Sequence, residues 1–237
     1  MGREINNIVE ILNFYKTLGF NELPQGFIQS LFGQNCVSAS PLHYNESSKN
    51  VKSLMEILNE EIKKCKKCPL SNSRKNPVCG EGNINAKLMF VGEAPGVDED
   101  LQGRPFVGEA GKLLTSLIEK MGFKREDVYI TNTVKCHPPM NRDPFESEIS
   151  TCFDYLKREI EIISPQVIIS LGKVATYTLM GMNGKLKDLH ISKLRGKVFP
   201  YNQIPVIPTF HPAYLLRNKK DKWLTWEDAQ EALRRLR

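Results

Sequence analysis

The apolar positions of this chain change rhythm near residue 86. Beyond that point, short apolar runs of strand length alternate with stretches of helical spacing. Lys87–Gly92 is followed by a helical pattern over Gly108–Met121, Val128–Val134 by one over Glu146–Ile163, and Val167–Leu171 by one over Lys173–Met180. A last strand is expected at Pro205–Phe210 and a closing helix at Trp226–Arg237. Runs of four to eight apolar residues suit strands buried on both faces, and apolar residues recurring three and four apart suit helices that cover them. This alternation predicts an α/β fold with a mostly parallel sheet.

Before residue 86 the pattern is helical. Ile5, Ile8, Val9, Leu12 and Tyr15 mark one amphipathic helix, and Val51, Leu54, Met55, Leu58 and Ile62 mark a second, which Pro69 stops. Between them residues 34–50 are polar, contain Pro41 and read as a linker. No internal repeat or low-complexity tract is visible.

Parallel sheets bind ligands beyond the carboxyl ends of their strands. That places candidate chemistry at Gly92–Asp100, Thr131–Pro139, Gly172 and Phe210–Arg217. In the first of these, Gly92, Pro95 and Gly96 set a tight turn, and Asp98, Glu99 and Asp100 crowd it with acids. The acids suit polarising a water or capping the helix that follows. The turn lacks the Lys-Ser/Thr pair of a phosphate-binding P-loop. Taken singly, Asn132, Phe106 and His211 read as strand-end, core and loop residues.

Composition narrows the class. At 41% hydrophobic residues the chain can build a core, which excludes disorder throughout. Its apolar runs fall far short of the roughly 20 residues of a membrane helix. The start MGREINNIVE puts Glu4 where a signal peptide needs apolar residues, so a cytoplasmic protein is expected. The 33 basic and 27 acidic residues are unevenly spread: residues 1–62 hold 4 and 7, leaving 29 against 20, or +9, for the rest. A basic body suits a polyanionic partner, and equally a soluble protein that happens to be basic.

Among the six cysteines, Cys65 and Cys68 form a C-x2-C pair, Cys136 follows a strand and Cys152 lies on the next helix. In a reduced compartment these four suit tetrahedral zinc, an iron–sulfur cluster, or buried unliganded thiols. Cys36 lies in the linker and Cys79 in an expected short strand, VCGEG, both as bystanders.

Taken together, CKKCPL, GEAPGVDEDLQGRPFVGEAG, TNTVKCHPPMNRDP, Cys152, SLGKVA and TFHPAYLLR resemble the family-four uracil-DNA glycosylases of bacteria and archaea. The resemblance runs from about residue 60 to the C-terminus. It implies a three-layer α/β/α domain at 60–237 with a central, mostly parallel sheet of about four strands, preceded by a helical extension and linker at 1–59. It implies a 4Fe–4S cluster on Cys65, Cys68, Cys136 and Cys152, and a monomer that binds uracil-containing DNA and associates with the nucleoid. The activity implied is hydrolysis of the uracil N-glycosidic bond in base-excision repair, leaving an abasic site with no lyase step.

The same resemblance assigns roles. His211 stabilises the departing base at O2, Asn132 reads the Watson–Crick edge, Phe106 stacks on the flipped ring, and the backbone at Gly92 and Glu93 contacts the base. Glu93 is expected to wall off the thymine methyl. Because Ala94 stands where family-one enzymes carry a water-activating Asp, Glu99 is expected to position the water, with Asp98 and Glu93 as rivals. Lys64, Lys66 and Lys67, among six basic residues that include Lys63, Arg74 and Lys75, are expected to face phosphate. Tyr214, Leu215, Leu216 and Arg217 would enter the minor groove. His137 replaces a basic Arg of many relatives. The acidic extension would serve as an arm for a replication or repair protein. Two other classes fit the residues: a noncatalytic uracil or DNA sensor of this fold, and a four-cysteine zinc protein that binds nucleic acid.

Overall fold

The computed structural model describes residues 44–182 and 184–236, with side chains from residue 51 on. The expected helix at 5–16 and Cys36 lie outside the described residues.

The apolar runs become strands: β1 (Glu81–Gly82), β2 (Leu88–Gly92), β3 (Tyr129–Asn132), β4 (Val167–Leu171), β5 (Phe199–Tyr201) and β6 (Ile204–Thr209). The helices are α1 (Tyr44–Lys64), α2 (Val97–Gln102), α3 (Glu109–Lys120), α4 (Glu146–Ile163), α5 (Lys173–Leu179), α6 (Ile191–Leu194), α7 (Pro212–Arg217) and α8 (Lys222–Leu233).

The sheet runs β1-β3-β2-β4-β6-β5, in which β3, β2, β4 and β6 are parallel neighbours. These are the four strands expected. The sheet itself has six, because β1 and β5 add antiparallel edges. At two and three residues those edges are too short for alternation to announce them.

Alternate strand residues feed two cores, as the period of two requires. Met89, Val91, Tyr129, Ile168 and Val206 meet α1, α4 and α5 on one face. Leu88, Phe90, Ile130, Val167, Ile169 and Ile207 meet α3 and α8 on the other. This is the three-layer α/β/α arrangement.

Three boundaries differ from expectation. Helix α1 begins at Tyr44, inside the stretch read as linker, and passes residue 59 without a break while burying Met55, Leu58 and Ile62. Helix α8 begins at Lys222, because its buried face is built of Thr225, Asp228, Ala229 and Ala232, small or polar residues that a hydrophobic pattern does not register. Cys79 precedes β1 instead of lying in it.

The chain leaves β2 for β3 on one side and later crosses to β4 on the other. Connections that diverge in this way open a crevice beyond the carboxyl end of the central strand.

Candidate active site

That crevice is a cleft of about 470 Å³, whose lining includes Glu93, Glu99, Phe106, Asn132, His211 and Arg217. Asn132 ends β3 in register with Gly92, the last residue of β2. A Cβ at Gly92 would stand 2.3 Å from Asn132 Oδ1 and 2.5 Å from Phe106 Cζ, so only glycine lets the two side chains close over it. Phe106 is buried, and its backbone is left-handed (φ 53°), a conformation rare for a bulky residue. Its ring centroid lies 5.8 Å from that of His211.

Asn132 is 2% exposed, and its Oδ1 has no hydrogen-bond partner among the described residues. A buried amide oxygen left unpaired costs about 1–3 kcal/mol. Facing a cleft, such an atom is an acceptor for a ligand donor.

His211 caps α7, its Nδ1 accepting the Ala213 N–H at 3.2 Å. A neutral ring with Nδ1 as acceptor carries its proton on Nε2. Burial pulls the imidazole down to about 4, against the opposing pull of Glu99, so the ring is neutral at pH 7. Gly172 (φ +88°) lets the chain pass close by, since a Cβ there would stand 2.9 Å from that of His211.

The acids of the loop divide sharply. Glu99 Oε1 accepts the N–H groups of Val107 and Gly108 at 2.9 and 3.0 Å, and Oε2 accepts that of Gly96 at 3.0 Å. Asp100 is buried and accepts the N–H groups of Lys75 and Asn76. Both carboxylates brace backbone amides. Asp98 is exposed. Glu93 differs from all three. It makes no side-chain hydrogen bond among the described residues, and burial followed by the nearby Asp143 raises its carboxyl to about 7, with Lys173 opposing.

The rim residues differ in exposure and in partners. Leu215 is 3% exposed and belongs to the core side of α7, whereas Leu216 is 38% exposed. The Tyr214 hydroxyl donates to Asp221 at 2.8 Å, and its ring stacks on Phe210. Arg217 lines the cleft. His137 Nδ1 donates to the Pro95 carbonyl at 2.8 Å and braces the loop. Among the six basic residues, Arg74 turns inward, donating to Cys136 Sγ at 2.9 Å and to the Cys65 carbonyl at 2.7 Å. Lys63 pairs with Glu60, and Lys67 Nζ lies over the Tyr155 ring at 4.6 Å. Lys64, Lys66 and Lys75 are exposed.

The structure brings Cys65, Cys68, Cys136 and Cys152 around one small cavity. Their thiols are free of disulfides. Three of the sulfurs receive donors: Lys67 N–H on Cys65, Arg74 on Cys136, and Lys135 N–H on Cys152 at 3.3 Å. Burial pushes the Cys152 thiol up to about 12, so ionised sulfur there needs a compensating cation. Four cysteines with N–H···S donors already in place fit a thiolate-ligated metal group. Among the described residues, no three His, Cys, Asp or Glu side chains converge on a single ion position. Sequence reasoning missed Lys135 and Glu159, which lie fully buried beside Asn132.

Residues 79–237 match the model of the uracil DNA glycosylase superfamily. The chain is 51% identical over 180 residues to the type-4 uracil-DNA glycosylase of Saccharolobus solfataricus, covering 73% of this chain and 82% of that one. It is 49% identical over 182 residues to the type-4 enzyme of Thermotoga maritima, covering 76% and 93%. Against the type-5 uracil-DNA glycosylase of Pyrobaculum aerophilum the identity is 32% over 174 residues, covering 67% and 74%.

Proposed function

The chain belongs to the uracil DNA glycosylase superfamily and, within it, to the type-4 group, and from that premise we propose that it excises uracil from DNA by hydrolysing the N-glycosidic bond. The observation that carries this reading is the orphaned Asn132 Oδ1, buried in a cleft with Phe106 and a neutral His211.

The base must leave the duplex to be reached. Uracil then stacks on Phe106. Asn132 Oδ1 accepts from N3–H and its amide donates to O4. Cytosine presents a bare N3 and an N4 donor there, the opposite pattern, so it leaves buried groups mispaired. As the C1′–N1 bond breaks, its electron pair leaves with the base, and the His211 Nε2–H donates to O2 where negative charge collects. Glu93, ionised, takes a proton from the water that adds to C1′. The products are free uracil and an abasic sugar. Glu99 holds the loop around this reaction through three backbone amides.

Cys65, Cys68, Cys136 and Cys152 would hold a 4Fe–4S cluster. N–H donors already on three of these sulfurs, around one shared cavity, support a thiolate-ligated group there. When bound, the cluster supplies a covalent cross-link between the segment after α1, the end of β3 and α4. Lys64 and Lys66 are offered to phosphate, and Leu216, in place of Leu215, to the gap left by the flipped nucleotide. No described helix is long and apolar enough to cross a membrane. We assign the protein to the cytoplasm as a monomer beside chromosomal DNA, the residues that precede α1 serving as the arm for a repair or replication partner.

The test is excision from a labelled oligonucleotide bearing one uracil, with cytosine and thymine controls, followed by alkaline cleavage. Strand breaks at uracil alone are expected, reduced about 10²- to 10³-fold by His211→Ala. Brown, cluster-loaded protein that makes no breaks would overturn the reading.

A further inference from the structure

Behind Asn132 lies an ion pair that this chemistry leaves without a task. Lys135 and Glu159 have side chains 1% and 0% exposed, with Nζ 2.6 Å from Oε2. Burying two charges costs several kcal/mol per ion, and apolar side chains of similar volume often stabilise a core as well or better. The pair's other partners therefore indicate what it does.

An ammonium has three hydrogens to donate. Besides Glu159, Lys135 Nζ donates to Thr131 Oγ1 and to the main-chain carbonyl of Asn132, both at 2.7 Å. Thr131 Oγ1 donates in turn to Glu159 Oε2 at 2.9 Å, and Glu159 Oε1 accepts the Gly80 N–H at 3.2 Å. Asn132 is the last residue of β3, where the ladder stops. Its carbonyl is gripped at that end by Lys135, and Glu159 fixes Lys135 from α4. The next residue, Thr133, donates both its N–H and its hydroxyl to the Gly92 carbonyl at 2.9 Å. The main chain that carries the Asn132 carboxamide is thus held on its C-terminal side, by Lys135 on the Asn132 carbonyl and by Thr133 on that of Gly92.

We propose that Lys135, oriented by Glu159, is a positioning residue: it fixes the Asn132 main chain so that the carboxamide meets the uracil edge, and thereby sets base selection without touching the base. This rests on the glycosylase reading above. It is separate from the contact of the Lys135 N–H with Cys152, which a side-chain substitution leaves available.

The test measures affinity of the full chain for two duplexes. One carries 2′-fluoro-2′-deoxyuridine, which resists hydrolysis, and the other a tetrahydrofuran residue with no base to read. Lys135→Met is expected to weaken binding to the uracil duplex on the order of 10-fold. Binding to the tetrahydrofuran duplex should stay within about 2-fold, and in an Asn132→Ala background the substitution should add less than about 2-fold. Brown absorbance should be retained. If Lys135→Met does not fold, the double variant Lys135→Met/Glu159→Leu, which strands no buried charge, carries the same measurements. Equal weakening on both duplexes, no weakening on either, an undiminished loss in the Asn132→Ala background, loss of the brown colour, or a double variant that also fails to fold would each overturn the proposal. Wild-type protein that does not prefer the uracil duplex to a thymine duplex overturns the glycosylase reading instead.

Discussion

The cleft and the cysteine cavity share the end of β3, yet they treat their polar atoms in opposite ways. Around the cysteines, three sulfurs carry N–H donors and Arg74 spans two segments, so the polar atoms there already have protein partners. In the cleft, Asn132 Oδ1 is unpaired and the Glu93 carboxylate has no hydrogen-bond partner among the described residues. Satisfied polar groups hold a shape, and unsatisfied ones await a ligand. The contrast extends to single residues, for Glu99 and Glu93 are both acids of one loop, and only Glu99 has its oxygens filled by backbone.

The sharpest way to break this contrast is at Glu93. Glu93→Gln is expected to lower kcat about 10²- to 10⁴-fold without lowering thermal stability at neutral pH. Glu99→Gln should instead lower Tm. Since the Glu93 carboxyl sits at about 7 and only its ionised form accepts a proton, wild-type excision should rise with pH through 7. The stability contribution runs the other way. The folded protein keeps a proton that the unfolded chain releases near 4.5, so Glu93 favours folding below that pH and ceases to as pH rises through 7. His211 adds no acid limb above about 4. Gain of thymine excision by Glu93→Ala would assign the residue to the steric wall instead.

On the other side of the comparison, Cys136→Ser should lose brown absorbance and melt at lower temperature, and loading with iron and sulfide should raise the Tm of wild type only. A colourless variant with wild-type Tm would show that the cavity does not depend on its metal group. The smallest effects separate two adjacent leucines. Leu215→Ala should cost about 2–5 kcal/mol of stability, as a buried truncation does. Leu216→Ala should change stability by less than about 0.5 kcal/mol and slow excision from duplex DNA more than from single strands. Equal behaviour of the two would remove Leu216 from the wedge.

The parallel strands were legible because each is a run of apolar residues flanked by helical periodicity. The edges were not. Strands β5 and β6 are joined at Asn202 and Gln203, both with positive φ (44° and 70°), a turn that lacks the glycine that usually announces it. At the site, Asn132, Phe106, His211 and the four cysteines were recognisable by type and place in the motifs. The bracing contacts of Glu99 and Arg74 left no mark in the sequence, because no residue pattern records which amides a carboxylate, or which carbonyl and thiol a guanidinium, will meet. Lys135 was passed over because a lysine in a basic stretch looks solvated, and only the fold supplies Glu159 from 24 residues away.

Phe106 has one more consequence. Its left-handed backbone is an uncomfortable posture of order 1–3 kcal/mol for such a residue, and the carbonyl behind it leaves no room for a Cβ at Gly111, which would lie 2.0 Å from the Phe106 oxygen. A ring fixed in this way has little rotational freedom left to lose when a base settles on it. Any waiting time in the encounter then lies on the side of the nucleic acid, in the opening of the base pair.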